Sequence, residues 1–376
     1  MKRLVILLLI ISIFVFASAG VQADAAKKDD VHTIGYQEAI DMGLKNSVSL
    51  KLYDDKILIA ERKYKNALSD SKDIAKMAWN NANERISNKL VEILVPMQKE
   101  NSVTELKWQR DNEARNLKLQ LISIYYRLQQ KNEQIALQSK NIAQAESELK
   151  TLKIKVEKGL AAESAVLPME LTVDNAKAEL NVLQNEKESM IMEFNSLLGF
   201  DIESGLILTT QKIPEAAEVI VDIEKIIEDN LVNAHAVKKL GNDRALAEME
   251  KKIYSDYSMY EKPEQIDELE EKILNLDYQL RDERISIERS IRIDHNNLLN
   301  KLDTVKLNKL SYEKAQKQLA VSEKRLNLGL ISAIDHNKVS LACDQAQFAY
   351  NNALVDYYLT AETFRSNYTV GTSETK

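Results

Sequence analysis

The chain has 376 residues, 29% of them charged and 6% aromatic, and carries a formal net charge of −7. Nine Gly and four Pro leave few places to break a helix, so the composition is that of long helices with narrow apolar seams rather than of several compact domains. The single Cys excludes an intramolecular disulfide, and the negative balance, with basic residues interspersed among acidic ones, argues against nucleic acid as a partner.

Met1-Lys2-Arg3 is a basic start, Leu4 to Ala17 is almost wholly apolar, and small residues follow at Ala17-Ser18-Ala19 and Val21-Gln22-Ala23. This pattern predicts a signal peptide over 1–23 and an extracytoplasmic mature chain. An uncleaved anchor is the alternative, although the run is shorter than the ~20 residues of a membrane-spanning helix. With no Cys near the cleavage region, a lipoprotein anchor is excluded, and no later segment is apolar enough to span as a helix. Residues 24–32 read as a flexible polar leader. Tyr36, Ala39, Ile40 and Gly43-Leu44 have helical spacing up to a stop at Asn46-Ser47, and a longer helix is expected from Ser49 towards Val95. Pro96 and the polar run Gln98 to Thr104 are expected to interrupt it.

The clearest helix follows, from Glu105 to Glu157, roughly 80 Å at ~1.5 Å per residue. Leu121, Leu128, Ile135, Ile142, Leu149 and Val156 recur every seven residues along it. A strict seven-residue repeat keeps one stripe on a partner helix and imposes a left-handed supercoil. The companion positions Ile124, Lys131, Gln138, Ala145 and Leu152 are poorer than a two-stranded zipper requires, which suits a broad helical wall with one side partly wet. Gly159 is placed to close this helix in a left-handed conformation. A return helix is expected from Ser164 to Leu198, with Pro168 tolerated in its first turn and Gly199 at its end. Gly205 to Thr210 is the best short strand, followed by Pro214. Ile223 to Asn233 then repeats the opening helix, Pro263 lies in an acidic stretch, and one helix is expected to run on to Leu328.

The second half duplicates the first. Ile291, Leu298, Val305, Tyr312, Leu319 and Leu326 form the second seven-residue series. Gly159 pairs with Gly329, Leu160 with Leu330, Leu171 with Leu341, Asp174 with Asp344, Ala176 with Ala346 and Phe194 with Phe364. Early pairs are offset by 187 residues and later ones by 170, so the second repeat lacks about 17 residues between its first two long helices. The expected organisation is a first repeat over 33–201, a linker over 202–220, a second repeat over 221–370 and a tail over 371–376.

Arg325-Leu-Asn-Leu-Gly329-Leu330-Ile-Ser-Ala-Ile-Asp335 resembles the hairpin tip of TolC-like outer membrane efflux proteins, the outer membrane factors. Phe194 to Gly199 resembles the close of that family's first repeat, and Tyr36 to Ile40 with Leu44 to Asn46 its first short helix. The resemblance covers most of the mature chain. It implies an all-α fold of long coiled-coil hairpins in two tandem repeats, forming a TolC-like α-barrel subunit of an export conduit. It further implies a homo-oligomer (a trimer in the family) in the cell envelope, in the outer membrane if one exists, working with an adaptor protein and an inner-membrane transporter. The family inserts β-strands in the middle of each repeat. The matching places here, 93–105 and 254–268, supply no alternating runs of ~9–11 residues, so little or no β-barrel is expected and membrane association stays open.

The four His have no metal-site spacing, and neither a phosphate-binding Gly loop with Lys nor a Gly-flanked Ser nucleophile is present, so neither enzyme activity nor a cofactor is expected. The resemblance implies that Lys155, Gly159 and Leu160, with Arg325, Gly329 and Leu330, form two adaptor-docking tips; a plain helix C-cap is the other reading. It also implies that Asp335 projects into the narrow end of the tunnel as an acidic ring. Ser332-Ala-Ile-Asp335 equally fits a capping box. A secreted structural coiled-coil scaffold without transport activity is the alternative for the whole chain.

Overall fold

The structure is a computed structural model and describes residues 31–216, 222–257 and 263–368. The expected signal peptide, most of the leader and the tail lie outside these residues. A short strand β1 (Val31–Ile34) leads into α1 (Tyr36–Asn46) and α2 (Val48–Ile74). After a turn, α3 (Ala82–Lys89), one π-turn (Leu90–Leu94) and α4 (Val95–Glu157) form one continuous helical run. A single 3₁₀ turn opens the return helix α5 (Val166–Leu198), and β2 (Gly205–Leu208) follows. The second half contains α6 (Ile223–Asn233), α7 (His235–Tyr257), α8 (Pro263–Asn327) and α9 (Ala333–Asn367). The expected all-α architecture of two tandem hairpin repeats is what the chain adopts: α4 and α5 make one long hairpin, α8 and α9 the other.

Pro96 is the interruption expected from the sequence, but the chain breaks earlier, between Ile74 and Ala82. A proline inside an α-helix has no N–H for the carbonyl four residues before it and its ring crowds that carbonyl. Here the helix widens into a π-turn, in which Val95 N–H reaches back to Leu90 O. The Glu92 carbonyl, which a residue other than proline at position 96 could have bonded, accepts the Ser71 hydroxyl of α2 at 2.6 Å. The helix therefore passes through Pro96 and the polar run 98–104. The roughly 17 extra residues of the first repeat fall on the 75–81 turn and α3, for which the second repeat has only the short α7–α8 connection.

Residues 31–32 were expected in the flexible leader, yet they belong to β1. It pairs in parallel with β2, from Val31 opposite Gly205 to Ile34 opposite Leu208, and the His32 ring stacks on Phe200 at 4.0 Å. Among the described residues these are the sole strands, and no helix is long and apolar enough to cross a membrane.

Two equivalent cores sit where the short helices cross the long hairpins. α1 buries Ala39 and Ile40 against Leu121, Tyr125, Leu128 and Phe194. In the second repeat α6 buries Ile226 and Ile227 against Ile291, Leu298, Val305 and Phe364. The seven-residue series thus points inward in both repeats: Leu121, Leu128, Ile291, Leu298 and Val305 are buried, and towards the hairpin ends Leu149, Val156, Leu319 and Leu326 are half-buried. Of the weaker companion positions, Ile124 and Ala145 are buried, Lys131 and Leu152 half-buried, and Gln138 is buried and hydrogen-bonded. Buried Gln138 donates to the Ala176 carbonyl at 2.9 Å and to Glu179 at 3.0 Å, tying α4 to α5. Tyr36 of α1 and Tyr358 of α9 meet hydroxyl to hydroxyl at 3.1 Å, joining the two repeats. Burial, with this bond next, pushes the Tyr36 phenol well above its ordinary range.

Two helical glycines separate packing from propensity. A Cβ on Gly43 would lie 2.5 Å from Leu121 Cδ1, and Leu121 is wholly buried, whereas a Cβ on Gly241 would meet nothing within 4 Å. Gly43→Ala is expected to lower stability by about 1–3 kcal/mol, and Gly241→Ala to raise it by about 0.5–1 kcal/mol. Urea unfolding of the two variants reads both signs.

Candidate functional site

Both long helices end in the same hydrogen-bonded turn. Gly159 and Gly329 each have a φ of 70°, the left-handed region that a side chain disfavours. Gly159 N–H bonds Val156 O at 2.8 Å and Leu160 N–H bonds Lys155 O at 2.7 Å. Gly329 N–H bonds Leu326 O at 2.9 Å and Leu330 N–H bonds Arg325 O at 2.8 Å. This double pattern is a Schellman C-cap, and it satisfies carbonyls that a helix end leaves open. Lys155 and Arg325 therefore hold the turn through their backbone oxygens while their side chains are exposed. Leu160 is 74% exposed, Leu330 64% and Leu328 73%.

Packing of α9 on α4 brings the two tips together at one end. Gln144 Nε2 donates to the Ile334 carbonyl at 3.3 Å, Lys338 meets Glu148 at 3.2 Å and Lys140 meets Asp344 at 2.6 Å. These are partly exposed pairs, each worth about 0–1 kcal/mol. They fix the register of one hairpin on the other more than they stabilise it.

Asp335 occupies the third residue of α9. The Ser332 hydroxyl oxygen accepts the Asp335 N–H at 3.1 Å, and the same hydroxyl donates to the Asp335 carboxylate at 2.7 Å. The Ser332 hydroxyl, and after it the Ser332 N–H and the charges of Lys338 and Lys155, hold this exposed carboxyl below its ordinary range. At the next residue, His336 Nδ1 and the buried Ser322 hydroxyl of α8 lie 3.1 Å apart, closing the hairpin stem. The contact between Ser322 and His336 is not legible in the sequence, because their meeting depends on the turn geometry.

A second polar feature lies far from the tips. A cleft of about 1090 Å³ opens between α4, α7, α8 and the end of α9. In it the Trp108 and His235 rings stack at 3.6 Å and His235 Nε2 meets Glu105 at 2.9 Å. Burial outweighs Glu105 and holds the His235 pKa down. Among the described residues no group of three His, Cys, Asp or Glu is placed to hold a metal ion. The buried Cys343 thiol is held up by burial and packs as a small side chain.

No family model and no curated protein matches the chain. Solved structures do. A membrane protein from Pseudomonas aeruginosa superposes with a TM-score of 0.62 at 11% identity, covering 88% of this chain and 89% of that one. The Campylobacter jejuni CmeC outer membrane channel gives 0.61 at 12% identity, over 91% and 87%. The Neisseria gonorrhoeae MtrE outer membrane channel, in its open state, gives 0.54 at 12% identity, over 89% and 88%. What is shared at these identities is the fold, along nearly the full length of each chain.

The tip geometry makes two stability predictions. Ser332→Ala removes the cap of α9 and should cost about 0.5–2 kcal/mol, while Gly159→Ala and Gly329→Ala should each cost about 1–2 kcal/mol through the left-handed backbone alone. Asp335 adds a pH signature. A carboxyl whose folded pKa is depressed contributes stability above its unfolded value and loses it as pH falls through the folded one. Acid titration of unfolding should therefore show less pH dependence below the ordinary carboxylate range in Asp335→Asn than in the parent protein.

Proposed function

We propose that this chain, whose fold is that of the TolC-like channels, is a subunit of an extracytoplasmic export conduit. Copies assemble side by side into an α-helical barrel, a trimer on the family pattern, in the cell envelope. The conduit works with an adaptor and an inner-membrane transporter, and any energy for transport comes from those partners. The observation that carries the reading is the pair of glycine-closed tips, side by side at one end, with Leu160, Leu328 and Leu330 exposed. A glycine with nothing within 4 Å of its Cβ position lets another backbone approach, and a basic side chain one turn earlier can meet an acidic one. Unburied apolar residues elsewhere support assembly: Leu52 and Leu58 on α2, and Leu307, Leu310 and Val321 on α8, are all more than half exposed. Long amphipathic helices with such residues on a second face need a further partner.

The absence of inserted strands in the described α2–α4 connection favours a second reading, a secreted coiled-coil scaffold. Size measurement of the purified chain separates the two, since a conduit is a closed ring-like oligomer and a spacer is a monomer or dimer. Within the conduit reading, Gly329→Trp should abolish co-purification with the adaptor while leaving helicity intact; unchanged binding refutes the docking role of the tips. Asp335, one carboxylate per subunit because its repeat partner is Ala165, is assigned to an acidic ring at the constriction. Asp335→Asn should then reduce cation preference in a reconstituted channel. If selectivity is unchanged and the melting temperature falls, Asp335 serves only as a cap.

A further inference from the structure

The start of α7 meets the first repeat through an imidazole. His235, the first residue of α7, lies flat on Trp108 of α4, with ring centroids 3.6 Å apart and 13° between the planes. Its Nε2 is 2.9 Å from one Glu105 carboxylate oxygen, and Lys239 reaches the other at 3.8 Å. Towards its far end α7 is fastened differently, where Ile253 is buried with Ile86 and Leu94 of the first repeat in an apolar cluster. The two fastenings are roughly 27 Å apart along α7 at ~1.5 Å per residue. Beside the polar one, α4 and α7 part around the cleft of about 1090 Å³, lined by Gln98 and Asn101 on one side and Lys238 and Asn242 on the other. The contact is not duplicated: the 187-residue offset puts Val48 at the corresponding place, the first residue of α2 and 79% exposed.

We propose that the His235 contact is an acid-released latch between the two repeats, whose opening widens the cleft while the apolar fastening at Ile253 holds. A carboxylate only accepts, so Nε2 carries a proton in the neutral ring as well as in the charged one. Acid therefore adds no bond to Glu105. The new proton goes to Nδ1, which has no hydrogen-bond partner among the described residues. Its charge sits at the N-terminal end of α7, where the helix dipole opposes a cation, and on the same helix as Lys239 one turn on. Glu105 and the Trp108 face favour the imidazolium, but removal from water is the largest effect and holds its proton uptake below the ordinary imidazole range. Other ionisable groups around the cleft are Arg115 of α4, Asp229 of α6, Lys238 and Asp243 of α7, Glu283 of α8 and Tyr368 after α9. Imidazole is the side-chain type whose ordinary titration falls between about pH 5 and 8. A base whose folded pKa is depressed contributes its stability above the unfolded value and loses it as pH falls through the folded one. Acid thus favours the state in which the ring has left the stack for water. The inference concerns contacts within one chain and stands independently of the conduit reading.

The chain has two tryptophans, so Trp79→Phe in the full chain leaves Trp108 as the sole reporter of the latch. Acrylamide quenching of Trp108 is followed from about pH 8 to about pH 5, and His235 is titrated by NMR in the same chain, its signal identified by its loss in His235→Phe. Trp108 should become more accessible as His235 takes up its proton, with coinciding midpoints, while amides around Ile253 keep their protection from hydrogen exchange. His235→Phe keeps a stacked ring that cannot titrate, and its Trp108 should stay shielded throughout. Glu105→Gln removes the charge that favours the imidazolium and should move the midpoint to lower pH; Lys239→Gln removes one that opposes it and should move the midpoint up. A merely structural contact gives no such opposite shifts, and Lys239→Gln leaves the stack and the carboxylate in place if another variant fails to fold. The proposal is overturned by an unchanged Trp108 accessibility, by the same change in His235→Phe, by a midpoint that neither charge variant moves, or by loss of protection at Ile253 together with Trp108, which marks global unfolding. It is equally overturned if Trp108 becomes better shielded in acid, since the imidazolium then tightens the stack.

Discussion

Two helices of 63 and 65 residues, each carrying one stripe of apolar side chains, set the terms for the rest of the molecule. At ~1.5 Å per residue each is about 95 Å long, and no neighbour is long enough to cover such a stripe except another helix running beside it. The return helices α5 and α9 do this along the hairpins, α2 and α7 along the other half. A strict seven-residue interval is what keeps the stripe from rotating out of the contact over that distance. Lose the interval and no local substitution could restore a continuous interface.

The stripe is not equally strong along its length. Near α1 and α6 it is built from Leu121, Leu128, Ile291 and Leu298, wholly or nearly wholly buried, with aromatic rings around them. Towards the tips the fastenings turn polar: Gln138 on the Ala176 carbonyl, Lys153 with Glu170, Ser322 with His336. Partly exposed pairs contribute little each, so the hairpin ends belong to the low-stability part of the molecule, where local opening costs least. The opposite end is organised by a different force. Arg85 between Trp79 and Tyr257 locks an aromatic turn through ring faces, and its firmness depends on keeping water from the cation.

The two repeats share the hairpins and the cores but not the opposite end. The first repeat spends its extra residues on the 75–81 turn and α3, and the π-turn at Leu90–Leu94 lets the run continue past Pro96. The second repeat has only the five residues 258–262 between α7 and α8. A duplicated scaffold thus carries an unduplicated end, while both tips remain the same to within a tenth of an ångström in their capping bonds.

What the sequence determined by itself is whatever is encoded at short range. The seven-residue series fixes which face of α4 and α8 is buried, the glycines at 159 and 329 fix where the chain reverses, and Ser332 with Asp335 fixes where α9 begins. Each depends on a periodicity or on one residue's allowed backbone angles, and all of these can be read from a few neighbouring residues. Tertiary structure decided what depends on partners distant in sequence. Pro96 reads as a break until Ser71, on a different helix, supplies the hydrogen bond that the Glu92 carbonyl would lack. The leader reads as flexible until Gly205 to Leu208 offers β1 a ladder. The tips read as two separate turns until Lys140, Gln144 and Glu148 of α4 seat α9 beside them. The aromatic end reads as scattered residues, because Trp79 and Tyr257 lie in different repeats and only the folded chain puts one guanidinium between them.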